Sequence, residues 1–182
     1  PVIVTINDLF EQLSSLKQVD RIEALTELWI LYNSLSTKKE SFDEFIYWGD
    51  IIISDFDDVD KYLVDARMLF ANIKDLKEIE SDYSFLSQRQ LDAIHQFWYN
   101  FFPVGNSENK LKFKEIWELL APIYYQFTER LSKKFVGYEG MIYRKVVSEI
   151  LSDKYSENPL FKKLFSYRKI VFIGFNALNP CE

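Results

Sequence analysis

Apolar residues return at intervals of three and four through most of this chain, and only its two ends break the rhythm. Pro1-Val2-Ile3-Val4-Thr5 and Arg168-Lys169-Ile170-Val171-Phe172-Ile173-Gly174-Phe175-Asn176 carry runs of β-branched and apolar residues instead. Spacing by three and four gathers side chains on one face of a helix, whereas continuous Val/Ile runs suit strands buried on both faces of a parallel sheet. The expectation is a mainly α, multi-helix chain with two short terminal β-strands. Two strands cannot make a covered sheet by themselves, so the pattern reads as a helical module from a larger α/β protein.

Start and stop signals divide the helical part. Thr5-Ile6-Asn7-Asp8 predicts a short helix that carries Leu9, Phe10 and Leu13. Asp20-Arg21-Ile22-Glu23 and Ser41-Phe42-Asp43-Glu44 have the spacing of capping boxes: the cap side chain accepts the first free amides, and the acid three residues on reaches back. Behind the second box, Phe42, Phe45, Ile46, Trp48 and Ile52 run through Gly49. A helical glycine costs about 1 kcal/mol against alanine, so close packing is expected at Gly49. Further helices are predicted over 62–73, 87–101, 110–134 and 138–152, with a short segment from Asn158-Pro159 to Phe165. Pro122 lies inside the longest of these and predicts a kink over 118–122. Residues 103–110, with Gly105, Asn106, Ser107 and Asn109, read as a loop.

Composition narrows the class. At 182 residues, 48% hydrophobic and 27% charged, the chain is long enough to bury a core and fits one domain better than two. A net charge of −6 argues against a surface that grips nucleic acid mainly by neutralising phosphates. One cysteine and one histidine exclude a disulfide framework, argue against a Cys/His zinc site and fit a reducing, cytoplasmic setting. No apolar stretch reaches the ~18 residues of a membrane helix.

The candidate chemistry is sparse. Asp50, Asp55, Asp57, Asp58, Asp60 and Asp65 are the residue type that holds Ca²⁺ or Mg²⁺. A calcium loop begun at Asp55 would need Gly at its sixth place and Glu at its twelfth, where Asp60 and Ala66 stand. A solvated face, or a helix start around Asp57 to Asp60, is the expectation, with no metal. His95 has no nucleophile or acid at catalytic spacing, and nothing marks Cys181 as a low-pKa thiolate. Gly49, Gly105, Gly137, Gly140 and Gly174 form no phosphate-binding loop. The 16 Phe, 11 Tyr and 4 Trp fall mostly on the apolar stripes, although Tyr124-Tyr125 and Tyr47-Trp48 cannot all face inward. No catalytic residue and no cofactor follow from the residues.

Four runs, in order, resemble the AddB-type subunits of bacterial helicase-nucleases, proteins with a PD-(D/E)XK nuclease domain. They are Pro1 through Phe10, the stretch Phe45-Ile46-Tyr47-Trp48-Gly49-Asp50 continuing to Tyr62, Tyr138-Glu139-Gly140-Met141-Ile142-Tyr143-Arg144, and Val171 through Glu182. The resemblance implies that residues 1–19 are a strand and helix of a RecA-like domain, 20–165 a helical insertion in it, and 166–182 its strand and loop at the Walker B region. In active helicases that strand ends in an Asp-Glu pair for Mg²⁺ and water. Here Ile173-Gly174 stand in its place, followed by Phe175 and Asn176, and neither Ile173 nor Gly174 can ligate a metal. The resemblance thus implies a degenerate motor site in a non-catalytic fragment that works in double-strand-break repair with an AddA-type subunit and DNA. Alone, such a fragment is expected as a monomer or a strand-mediated dimer.

Overall fold

The computed structural model describes residues 2–70, 107–174 and 178–182. It is mainly helical. Its compact units are Pro1–Asp65 with Ile123–Glu182, and Ala66–Pro122. The sites below all lie in the first.

That unit begins with α1 (Ile6–Ser14), whose N-cap Thr5 accepts from the Asp8 amide, and with the two-residue strand β1 (Lys17–Gln18). Helix α2 (Arg21–Leu35) is capped by Asp20, which accepts from the amides of Ile22 and Glu23. Helix α3 (Phe42–Lys61) starts at a reciprocal Ser41–Glu44 capping box, as its sequence predicts. Helix α4 (Ser107–Lys133) contains Pro122, and the division between units falls one residue later. Strand β2 (Val136–Gly137) follows, then α5 (Glu139–Leu151), a 3₁₀ turn (Lys154–Ser156) and α6 (Pro159–Ser166), capped by Asn158 with Pro159 at its first turn. Strands β1 and β2 pair in parallel, Lys17 opposite Val136 and Gln18 opposite Gly137.

The core is built from the apolar stripes. Leu25, Leu28, Leu31 and Tyr32 of α2 meet Phe45, Ile52, Ile53 and Phe56 of α3, while α5 packs against α3 and α1 through Met141, Ile142, Tyr143 and Val146. Phe10 lies 4.1 Å from Tyr143, centroid to centroid, and Tyr32 meets Trp48 edge to face at 4.7 Å. Each fully buried side chain of this kind stabilises by roughly 1.5–3 kcal/mol. Gly49 is closely packed as expected: a Cβ there would lie 2.3 Å from the Phe45 ring.

Several boundaries differ from expectation. The paired strands are β1 and β2, and among the described residues neither Val2–Val4 nor Ile170–Ile173 is a strand. β-branched residues favour strands where a pleated surface covers them, and among the described residues Ile3 and Ile173 stand 90% and 89% exposed. Helix α3 runs through Lys61, so Asp57 to Asp60 close a helix instead of opening one. The helix expected over 62–73 begins only at 66, after a turn with Leu63 in the left-handed region at φ 53°. Helix α4 starts at Ser107, inside the predicted loop. The helix predicted over 87–101 and His95 lie outside the described residues.

Candidate functional site

The aspartates do not act as one set. Asp50 reaches back to Arg21, whose Nε donates to Oδ1 at 2.5 Å, and Asp55 and Asp58 face outward on α3. Asp57 and Asp60 turn inward, and both hold the helix Glu139–Leu151, Asp60 tying in α4 as well.

Asp60 is 1% exposed. The hydroxyls of Tyr124 and Tyr138 donate to its two carboxylate oxygens at 2.5 and 2.6 Å, and Arg144 Nε lies 2.8 Å from Oδ1. One carboxylate therefore joins the C-terminal end of α3 to the body of α4 and to α5. Burial pushes the Asp60 carboxyl up, and the two phenols and Arg144 pull it only part of the way back. Burial, then the Asp60 charge, holds the Tyr124 and Tyr138 hydroxyls well above the ordinary phenol range. Arg144 also donates to the Val59 and Val64 carbonyls at 2.6 and 2.7 Å, closing the C-terminal end of α3.

Asp57 performs the complementary task. Helix α5 has Tyr138 at its N-cap and no cap hydrogen bond from that side chain; instead the Gly140 amide donates to Asp57 Oδ1 at 2.6 Å. A carboxylate from another helix thus serves the positive pole of α5. Lys61 bridges Asp57, at 2.8 Å, and Glu139. Burial draws the Lys61 ammonium down, but its two carboxylate partners outweigh that and keep it above its ordinary value. Glu139 accepts from Asn7 of α1 at 3.0 Å, and Asn7 accepts from the Tyr143 hydroxyl at 2.6 Å.

Cys181 is buried beside this cluster, its thiol donating to the Asp60 carbonyl at 3.4 Å. Burial pushes the thiol pKa up, the opposite of what a nucleophile needs. Ile173 is exposed, and Gly174, at φ +87°, takes a conformation glycine adopts without penalty. Phe175 and Asn176 lie outside the described residues. Among the described residues, no group of three or more His, Cys, Asp or Glu is placed to hold a metal ion, and no helix is long and apolar enough to cross a membrane.

A second feature is a groove of about 900 Å³ on the other side of α1. Val2, Ile3 and Val4 form one wall and Ile170, Val171 and Ile173 another, with Leu160 and Leu164 of α6 between. The two β-branched runs line one groove, but no strand ladder joins them.

The inward turn of Asp57 and Asp60 was missed from sequence. Its signal was available: positions 53, 56, 57 and 60 share one face of a helix, and Ile53 and Phe56 are plain core residues. The aromatic pairs divide as anticipated, Tyr124 buried with Tyr125 exposed and Trp48 half-buried with Tyr47 exposed.

No protein-family model matches this chain, and neither a curated protein nor a solved structure matches it.

Proposed function

We propose that this chain is a non-catalytic helical scaffold of an AddB-type helicase-nuclease subunit, contacting the AddA-type helicase partner or DNA in the complex that processes double-strand breaks. The observation that carries the scaffold role is the engagement of the inward polar groups. Asp57, Asp60, Lys61 and Arg144 are all spent on joining α1, α3, α4 and α5. A site for chemistry keeps a titratable group facing substrate space; here the buried carboxylate meets two phenols and a guanidinium instead. Ile173 and Gly174, at the place of the helicase carboxylates in this reading, offer no ligand for Mg²⁺. The family part of the proposal is supported by the four ordered runs of resemblance, and a cytoplasmic setting follows from it.

The exposed apolar groove favours a second reading, a stand-alone helical protein-interaction module. The coding sequence downstream of Glu182 separates the two. A PD-(D/E)XK nuclease domain in the same reading frame is the expected result, and a stop codon close to Glu182 overturns the AddB-type proposal in favour of the module.

A further inference from the structure

The groove beside α1 is apolar along its walls and positively charged at its rim. Among the described residues, Lys163 and Lys169 are the charged ones that line it, and no carboxylate does. Neither ammonium is ion-paired among the described residues. The bias is local: from Pro159 to Ile173 the chain carries Lys162, Lys163, Arg168 and Lys169 and no acid, within a protein of net charge −6.

We infer that this groove docks an extended apolar segment of a partner protein that carries acidic residues beside its apolar ones. The apolar side chains would cover Val2, Ile3, Leu160 and Ile173, while the carboxylates meet Lys163 and Lys169. Exposed apolar patches rimmed by polar groups mark interaction surfaces, and rim charges select the partner and speed its encounter. An alternating segment suits the shape, because every second side chain of an extended peptide points to the same face. The inference rests on the stand-alone module reading, because in the AddB-type reading Val2–Val4 and Ile170–Ile173 would be strands covered by the rest of a RecA-like sheet.

Two other occupants fit less well. Single-stranded nucleic acid binds by stacking bases on aromatic faces along a basic track, and the walls here are mostly aliphatic. A second copy docking through the same groove would set Lys163 and Lys169 against their own equivalents, because a two-fold contact repeats each patch on both sides.

The test is fluorescence anisotropy on the whole chain with three labelled probes: a short peptide alternating valine with glutamate, one alternating valine with lysine, and oligodeoxythymidylate. The glutamate peptide should bind at least about tenfold more tightly than the lysine peptide, and more weakly as salt rises. Combining Lys163→Glu with Lys169→Glu should cancel that preference. Ile173→Asp, at a side chain too exposed to matter to folding, should weaken binding by about tenfold. Equal binding of the two peptides, tighter binding of the oligonucleotide, or self-association that Ile173→Asp abolishes would each overturn the inference.

Discussion

Asp57 and Gly140 meet twice: the Gly140 amide donates to Asp57 Oδ1 at 2.6 Å, and a Cβ on Gly140 would stand 2.3 Å from the Asp57 carbonyl oxygen. The cap and the close approach are one contact between α3 and α5. Gly140→Ala would drive a methyl into backbone, which cannot rotate away. It should destabilise the protein by about 3 kcal/mol, within the range for overpacking, read from urea unfolding. Asp57→Ala removes the cap and one partner of Lys61 but adds no clash, and should cost about 1–2 kcal/mol.

The Asp60 cluster makes a sharper demand. Removing one partner of a buried ion pair costs about 3–5 kcal/mol, because the other charge is left uncompensated. Asp60→Asn should fall near the low end, since Arg144 is partly exposed and keeps the Val59 and Val64 carbonyls. Tyr138→Phe should cost about 1–2 kcal/mol. In a double-mutant cycle, Asp60→Asn with Arg144→Met should be less harmful than the sum of the two. Strict additivity would mean that the pair does not interact.

Tyrosine ionisation reports the same packing. Burial, then the charge of Glu139, pushes the Tyr143 hydroxyl up to about 12 from an ordinary value of 10.0. A group whose pKa is raised by folding holds its proton more tightly in the folded state. Its contribution to stability is therefore complete below pH 10 and is lost as pH climbs from 10 to about 12. Absorbance at 295 nm should show Tyr143 still protonated at pH 10, and Tyr143→Phe should flatten the fall in melting temperature across that window.

Ser15 ends α1 in the left-handed region, at φ 58°, with an exposed side chain. Ser15→Gly relieves that conformation without removing a packed group. It should stabilise the protein by about 0.5–1 kcal/mol, visible as a higher denaturant midpoint with an unchanged slope.

Much of this fold was legible in the sequence. Thr5, Asp20, Ser41 and Asn158 are caps because their side-chain oxygens reach amides two or three residues on, a purely local matter. Gly49 betrayed a tight contact for a similar reason, since the ring it faces is only four residues away. The tasks of Asp57 and Asp60 were not legible in the same way. Their partners Tyr124, Tyr138, Gly140 and Arg144 lie far along the chain, and a run of aspartates looks like a solvated face until those elements are folded against it. The end runs misled in the opposite sense. Val2–Val4 and Ile170–Ile173 have strand-forming composition, but a strand is made by its neighbour, and these segments share a groove without a ladder.

The most direct measurement on the proposed role is sedimentation velocity of the purified chain with an AddA-type helicase subunit, run beside ATP hydrolysis and magnesium-dependent cleavage of a linear duplex by the chain alone. The expected result is a complex sedimenting faster than either component, with no hydrolysis or cleavage by the chain by itself. Independent sedimentation at concentrations well above those of the assembled complex, or clean cleavage of the duplex by the chain alone, would contradict a non-catalytic, partner-contacting scaffold.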